Sequence, residues 1–385
     1  MRRLSQRKTT SKFKSDKHSF DSQFFYLILF LVAIGLVFVA DISAPQALNF
    51  FNDKYHFFKS QLFAALIGIV VMYVLSFINF SIYKKISIPF FIVSILLLVV
   101  LFIPGLSYAA LGARRWINFG GLNFQPSEVA KLALAIYLAK VVSDIDMNLP
   151  IKKVLLKFFA PFVVVAFLIM LQPDLGTTLV VSVIALSQIF ISGIPILPFL
   201  GTLVVGFAAT LMLILVSPYR RDRLMTFFEN TSDPLGKSYH IRQILLALGS
   251  GGLFGVGLGQ SRQKYLFLPE ASTDSIFAAI AEELGFIGSF VIILIFVFFI
   301  YKAFKIVSMA PDTFSKVLGV GIASWIGGQI IINISSMVAL TPLTGIPLPF
   351  FSYGGTSLVM VLVGCGILLN ISRYSFLRVK TRRRK

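Results

Sequence analysis

The sequence predicts an all-α integral membrane protein, a polytopic bundle of about ten transmembrane helices with one large extracytoplasmic loop. Three observations carry that expectation. The 385 residues are 57% hydrophobic and only 13% charged, against about 25% charged in ordinary soluble domains. The mean hydropathy is +0.88. Long apolar runs recur along the chain, and about 20 such residues suffice to cross a bilayer core of roughly 30 Å.

In order, the runs lie near 24–40, 61–81, 87–104, 126–143, 155–172, 175–193, 196–216, 275–301, 316–339 and 356–374. Pro173, Gly193-Ile194-Pro195 and Pro342 separate neighbouring spans, because a helix does not easily continue through such residues. Residues 1–23 are too polar to fold alone and too long before the first run for an ordinary cleaved signal, so they are expected to form a disordered basic cytoplasmic tail ahead of an uncleaved anchor. Residues 24–374 form the membrane domain, and 375–385 a second basic tail. Twenty-three of the 35 basic residues, in 1–23, 84–85, 140–157, 302–316 and 373–385, fall on the side shared by the termini. The positive-inside bias therefore puts both termini in the cytoplasm. The net charge of +19 resides largely in short segments flanking spans. Such segments suit anionic headgroups or topology and give no reason to expect nucleic acid. The single cysteine, Cys365, lies in the last span, so no disulfide framework exists.

Most connections are short, but residues 217–274 form a long extracytoplasmic loop. Within "SYHIRQILLALGSGG", Ile241, Ile244, Leu245 and Leu248 recur at helical spacing with His240, Arg242 and Gln243 on the polar side, which predicts an amphipathic helix at the outer interface. The following "GSGGLFGVGLGQ" lacks GxGxxG spacing and a preceding strand, so it predicts close backbone packing and not a nucleotide cradle. The basic residues Arg220, Arg221, Arg223, Lys237, Arg242, Arg262 and Lys264 have two readings. Either they pair with the loop's own Asp222, Glu229, Asp233, Glu270 and Asp274, or they bind phosphate oxygens of a lipid-linked phosphate or pyrophosphate. On the second reading Arg220, Arg221, Arg223 and Lys264 are candidate substrate ligands.

Polar features elsewhere converge on the same side. "LGARRWINFGGLNFQPSEVAKLALA" adds Arg115 and Trp116 as binding candidates in an outward loop, then opens a span with Pro126, Ser127 and Glu128. Lys131 follows one turn deeper. Intramembrane charge is costly and marks a cavity or a paired site, so Glu128 and Lys131 are expected to form a buried polar unit with a partner from another span. Asp174, in "LQPDLGTTL", is either that partner or a helix cap. "TPLTGIPLPFFSYGGTS" sets three prolines and three glycines beside Ser352, Tyr353, Thr356 and Ser357. Irregular backbone at membrane depth is tolerated only where protein or a water-filled cavity surrounds it.

Four stretches, "RRWINFGGLNFQPSEVAKL", "QPDLGTTL", "FLPEASTDSIFAAIAEELGFIG" and "GIPLPFFSYGGTS", resemble in order and spacing the signatures of the SEDS family of bacterial cell-wall glycosyltransferases. The resemblance spans roughly residues 24–375. The stretch from Tyr219 to Ala271 resembles the cell-division branch, with the elongation branch as the alternative. The resemblance implies a ten-helix enzyme of the bacterial cytoplasmic membrane, working at the division septum, that polymerises lipid II into an undecaprenyl-linked glycan strand on the outer face. Undecaprenyl pyrophosphate is then the leaving group. Implied partners are a class B penicillin-binding protein (transpeptidase) and other divisome membrane proteins. By the same resemblance the essential acid falls on Asp274, and Glu270 and Ser352 join the substrate-binding candidates. The sequence departs from the family pattern at two neighbours: Ser272 stands where most members have His, and Ser275 where Phe is common.

The residues themselves give Asp274 two readings. Thr273 is placed to cap the following helix, which leaves Asp274 in the first turn as a stabilising, ionised acid. Glycosyl transfer also needs a base within hydrogen-bond reach of the attacking hydroxyl. The reaction expected from the family is an inverting single displacement at C1 of the donor sugar. In it Asp274 takes the proton of the acceptor's 4-hydroxyl, and cationic side chains or a divalent metal (Mg or Mn) stabilise the departing pyrophosphate. Because His18, His56 and His240 are scattered, such a metal would be held mainly by substrate phosphates. No organic cofactor is expected. A lipid II flippase and a scaffold that only recruits division partners are the non-enzymatic alternatives. Ionisable residues other than Lys131, Glu282 and Glu283 concentrate outside the spans, which argues against a polar route through the bilayer.

Overall fold

The computed structural model describes residues 20–103, 107–110, 113–119, 122–144, 150–193, 239–265 and 267–383, with 201, 206, 208 and 212 besides. Its helices are α1 (Ser22–Ile42), α2 (Ala44–Phe51), α3 (His56–Phe77), α4 (Ser81–Val100), α5 (Pro126–Asp144), α6 (Ile151–Leu171), α7 (Leu175–Ile191), α8 (Tyr239–Gly251), α9 (Ile276–Ser308), α10 (Thr313–Met337) and α11 (Gly355–Arg383). Seven of them, α1, α3, α4, α6, α9, α10 and α11, are long and apolar enough to cross a membrane. Of the other two that match expected spans, α7 has 17 residues and α5 carries Glu128 and Lys131. Nine of the ten expected segments thus coincide with helices, while 196–216 falls almost wholly outside the described residues. The chain is a multi-pass membrane protein.

Local chemistry sets the helix ends. Asp21 caps α1 by accepting from Phe24 N (3.0 Å), and Asp312 caps α10 by accepting from Ser315 N (2.7 Å). The break at Pro173 falls between α6 and α7 as expected, and α10 ends before Pro342. The third expected break, at Pro195, lies outside the described residues. Helices α3 and α4 start about one and a half turns earlier than hydropathy suggests, because His56, Lys59 and Lys84 are carried within them.

Helices α10 and α11 are central, with 72% and 78% of their most apolar windows buried, against 28–39% for α1, α3, α4, α6 and α9. Outer helices turn residues such as Phe63, Val70 and Phe167 outward, where lipid replaces water as the solvent. Buried amides stitch the centre together. Gln188 of α7 donates to Ala135 O of α5 (2.8 Å) and Val317 O of α10 (3.1 Å).

An antiparallel sheet, β1 (Ser107–Ala110), β2 (Ala113–Phe119) and β3 (Leu122–Phe124), occupies the α4–α5 connection. It was not expected from the sequence. The signal for it was present in Tyr108, Trp116, Ile117 and Phe119 with Gly120-Gly121 behind them, a short aromatic and β-branched hairpin pattern.

Helix α8 is the expected amphipathic helix, rotated from its expected face. Ile241, Ile244, Ala247 and Gly251 are buried, Leu248 is half-buried and Leu245 is exposed. The glycine-rich segment after it meets a break in α9 at Gly285, where φ is 68° and ψ is −169°. Four backbone bonds are exchanged there. Val256 N and Gly257 N donate to Glu282 O and Glu283 O (both 3.0 Å), while Phe286 N and Ile287 N donate to Gly252 O (2.9 Å) and Leu253 O (3.1 Å). The groups freed by the break are therefore satisfied. A Cβ on Gly285 would lie 2.2 Å from Gly255 N, and one on Gly255 2.0 Å from Glu283 O. Close backbone packing is thus the role of the glycines.

Candidate active site

Asp274 lies in the segment 267–275, immediately before α9, and is half-buried. Four consecutive residues of its turn are each held from elsewhere in the fold. Ser272 O accepts from Tyr353 N (2.8 Å), and Thr273 O accepts from the Ser352 hydroxyl. Asp274 O accepts from Asn333 Nδ2 of α10 (2.8 Å), and Ser275 Oγ lies 2.8 Å from His240 Nε2 of α8. Ser272 Oγ also donates to Gln46 Oε1 of α2 (3.2 Å). A carboxylate on such a support is preorganised, as catalysis through a positioned group requires.

The turn differs from its expected form in one respect. Thr273 does not cap α9, because its hydroxyl donates to Glu270 Oε2 (2.6 Å). The N-cap residue is Ser275, which makes no side-chain capping bond. Asp274 therefore precedes the helix and does not occupy its first turn, which leaves its carboxylate less governed by the helix dipole than the sequence suggested. Glu270 is exposed and adopts φ of 51°, a left-handed conformation uncommon for a residue with a Cβ. Its carbonyl accepts from both Thr273 N and Ser275 N (3.1 Å each).

Ser352 is buried and fully engaged. Besides bonding Thr273 O, its Oγ accepts from Leu348 N (2.7 Å), and its carbonyl accepts from Gln61 Nε2 of α3 (3.1 Å). The residue expected to touch substrate instead fixes the loop 338–354 against the Asp274 turn. That loop also packs on α1 at Gly35, where a Cβ would lie 2.1 Å from Phe350 O.

Lys264 likewise differs from expectation. Its ammonium is buried between Asp41 Oδ1 of α1 (2.8 Å) and Glu283 Oε1 of α9 (2.9 Å). Burial pulls the Lys264 pKa down, but the hydrogen bonds to Asp41 and Glu283 outweigh it and hold the group above the ordinary lysine value. Next to it Glu282 accepts from the Ser261 hydroxyl, Arg262 N (3.1 Å) and Gln263 N (3.3 Å). The two intramembrane glutamates thus anchor the 260–264 segment, and Lys264 is a structural cation there, not an open phosphate ligand.

Glu128 and Lys131 form the expected buried pair, with Nζ to Oε1 at 2.8 Å. The partners from another span are Gln329 (3.3 Å) and the Trp325 ring (5.1 Å to its centroid), both on α10. Asp174 is not among them. It caps α7 by accepting from Thr177 N (3.0 Å) and Thr177 Oγ1 (2.8 Å), and it lies 3.9 Å from Arg115 Nε. Arg115 donates to Gln172 O (3.3 Å) and to Pro173 O, so it ties β2 to the α6–α7 corner. Trp116 is half-buried on β2, in register with Tyr108. Arg220, Arg221 and Arg223 lie outside the described residues.

The structure therefore brings Glu270 and Asp274 into one turn with Ser352 bonded against it, and separates from it two supporting pairs, Glu128–Lys131 and Arg115–Asp174. Sequence reasoning missed Gln46, Gln61, Asn333 and the joint role of Asp41 with Glu283. Gln61 and Asn333 were detectable as lone amides within apolar runs. Among the described residues, no group of three or more His, Cys, Asp or Glu side chains is arranged to hold a metal ion.

Comparison with known proteins agrees with this architecture. Residues 21–376 match the family model for cell cycle proteins of the FtsW, RodA and SpoVE type. Stage V sporulation protein E of Bacillus subtilis is 40% identical over 353 residues, covering 91% of this chain and 96% of the relative. A probable peptidoglycan glycosyltransferase FtsW of Trichlorobacter lovleyi is 38% identical over 357 residues, covering 92% and 93%. Among solved structures, a chain of a peptidoglycan synthase complex that coordinates polymerization and crosslinking superposes with a TM-score of 0.75 at 27% identity, covering 93% of this chain and 98% of that one. The rod shape determining protein RodA of Thermus thermophilus gives a TM-score of 0.69 at 27% identity with the same coverage. With the match running through nearly the whole membrane domain, the chain belongs to the FtsW/RodA/SpoVE family, the SEDS family.

Proposed function

We propose that this protein is a peptidoglycan glycosyltransferase that polymerises lipid II at the outer face of the bacterial cytoplasmic membrane during cell division. The observation that carries the reading is the clamped turn, which holds Asp274 from α8, α10 and the 338–354 loop at once. The basic tails, 1–23 and 375–385, lie in the cytoplasm, which puts Asp274 on the outer side. There the acceptor's 4-hydroxyl attacks C1 of the donor sugar as the bond to the pyrophosphate oxygen breaks, with inversion. Asp274 accepts the hydroxyl proton, and undecaprenyl pyrophosphate leaves. Arg220, Arg221 and Arg223 supply positive charge to the departing pyrophosphate. The described residues form no protein cage for a resident metal. A divalent cation would be bound chiefly by substrate phosphate oxygens, where it would neutralise developing charge.

Pairing of the intramembrane charges supports an enzyme over a flippase. Lys131 is held by Glu128, and Glu283 by Lys264, so neither lines an open polar route. The partner we propose is a crosslinking transpeptidase, a class B penicillin-binding protein, acting with other divisome membrane proteins. The sporulation relative favours one alternative setting, the same chemistry during spore formation. Reconstitution in vesicles with lipid II tests the reading. Glycan strands made by the chain, alone or with the transpeptidase, are expected. Lipid II translocation without polymer would replace it with the flippase.

A further inference from the structure

We infer that His240 is a positioning residue for the Asp274 centre, acting through Ser275; the inference rests on the reading of Asp274 given above. The first two side chains of α8 both reach the segment that carries Asp274. Tyr239 Oη donates to Phe267 O (2.9 Å), and His240 Nε2 lies 2.8 Å from Ser275 Oγ.

Ser275 is fully buried and stands at the N-cap of α9, where a serine oxygen ordinarily accepts from the helix's own N–H groups. Here it makes no such bond, and the hydroxyl meets the imidazole of another helix. The Ser275 backbone is fixed independently. Its nitrogen donates to Glu270 O (3.1 Å), and its carbonyl accepts from Ala278 N (3.0 Å). The imidazole contact is thus a tie between α8 and the residue next to Asp274.

The other ties on the turn come from α10 and the 338–354 loop, with Gln46 of α2 on the Ser272 side chain. From the α8 side, Tyr239 ties the start of the segment at Phe267 O and His240 ties the residue next to Asp274. Without His240, the residue next to Asp274 loses its side-chain tie to α8, and on this segment Tyr239 at Phe267 O remains. Displacement of a reacting group by about 1 Å is enough to cost on the order of 10²-fold in rate. The role needs a hydrogen-bonding atom at the Nε2 position and not the imidazole ring as such. Glutamine offers an amide there, whereas leucine offers only bulk.

The test measures kcat and KM for lipid II polymerisation by the purified full chain in vesicles. The variants are His240→Leu, His240→Gln, Ser275→Ala and the His240→Leu/Ser275→Ala double, each with a thermal melt. His240→Leu and Ser275→Ala are each expected to lower kcat by about 10-fold or more with KM nearly unchanged. His240→Gln is expected to restore most of kcat. The double variant should be no worse than the worse single, as two ends of one bond require. Wild-type kcat in Ser275→Ala, a loss confined to KM, glutamine no better than leucine, or multiplicative losses in the double would each overturn the inference. If His240→Leu fails to fold, Ser275→Ala and His240→Gln decide the matter by the same criteria. Wild type and Asp274→Asn run alongside separate this inference from the reading beneath it. An inactive wild type or an active Asp274→Asn removes the reading of the site. An active wild type and inactive Asp274→Asn, with Ser275→Ala at wild-type kcat, removes the role of His240 alone.

Discussion

Replacing Lys264 with Met should destabilise the fold without weakening substrate binding. The Lys264 side chain is 3% exposed and its ammonium serves two carboxylates, Asp41 at 2.8 Å and Glu283 at 2.9 Å. At an effective dielectric of about 20, each contact is worth roughly 6 kcal/mol of gross attraction, most of it offset by desolvation of the ions. Breaking a buried pair by removing one partner costs about 3–5 kcal/mol net. The Asp41 side chain is 30% exposed and can hydrate, but that of Glu283 is 0% exposed and cannot. The lower end, about 3 kcal/mol, is therefore expected. With an unfolding entropy of about 2.1 cal/mol/K per residue, that loss lowers the Tm by roughly 4 °C. Thermal unfolding in detergent measures it. The sharper signature is rescue, because Lys264→Met combined with Glu283→Gln removes the stranded charge and should melt above Lys264→Met alone. An unchanged Tm in Lys264→Met, together with weaker lipid II binding, would refute this account and return Lys264 to the substrate-binding set.

Gly285→Ala should sharply reduce the yield of folded protein, since its Cβ would lie 2.2 Å from Gly255 N at φ of 68°; normal yield in a detergent-solubilised preparation would contradict the four-bond break in α9. Arg115→Ala should lower stability by about 1–3 kcal/mol, read by thermal melt, because the Gln172 and Pro173 carbonyls lose a charged donor. The affinity for lipid II in that variant is expected to stay near normal. Neutralising Arg220, Arg221 and Arg223 singly and together should weaken lipid II binding in a way that added salt mimics in the wild type, and unchanged affinity in all four variants would remove those arginines from the site.

The sequence disclosed what depends on bulk hydropathy and local motif. Runs of apolar residues marked most of the helices, prolines marked their breaks, and a lysine one turn after a glutamate marked the Glu128–Lys131 pair. It did not disclose which distant groups meet. Asp174 and Arg115 stand almost 60 positions apart, and Gln329 is nearly 200 positions from Lys131, so no local spacing reports those contacts. The same holds for Lys264, whose basic neighbours made it look like part of a phosphate site, while its partners lie on α1 and within α9. Ser352 was placed in the right neighbourhood but in the wrong role, because a hydroxyl in a Pro/Gly-rich loop serves equally to bind a ligand or to brace backbone. The small sheet was hidden by its short strands, which a bundle-based reading treats as loop.

The most direct test of the central claim is lipid II polymerisation by purified Asp274→Asn. Asparagine keeps the size of the side chain, and the turn's ties through Ser272 O, Thr273 O, Asp274 O and Ser275 Oγ do not involve the carboxylate. The variant should therefore fold and bind lipid II, yet polymerise about 10²–10⁴-fold more slowly for want of a proton acceptor. A well-folded Asp274→Asn protein that makes glycan strands at the wild-type rate would contradict the account and move the search for the base to Glu270.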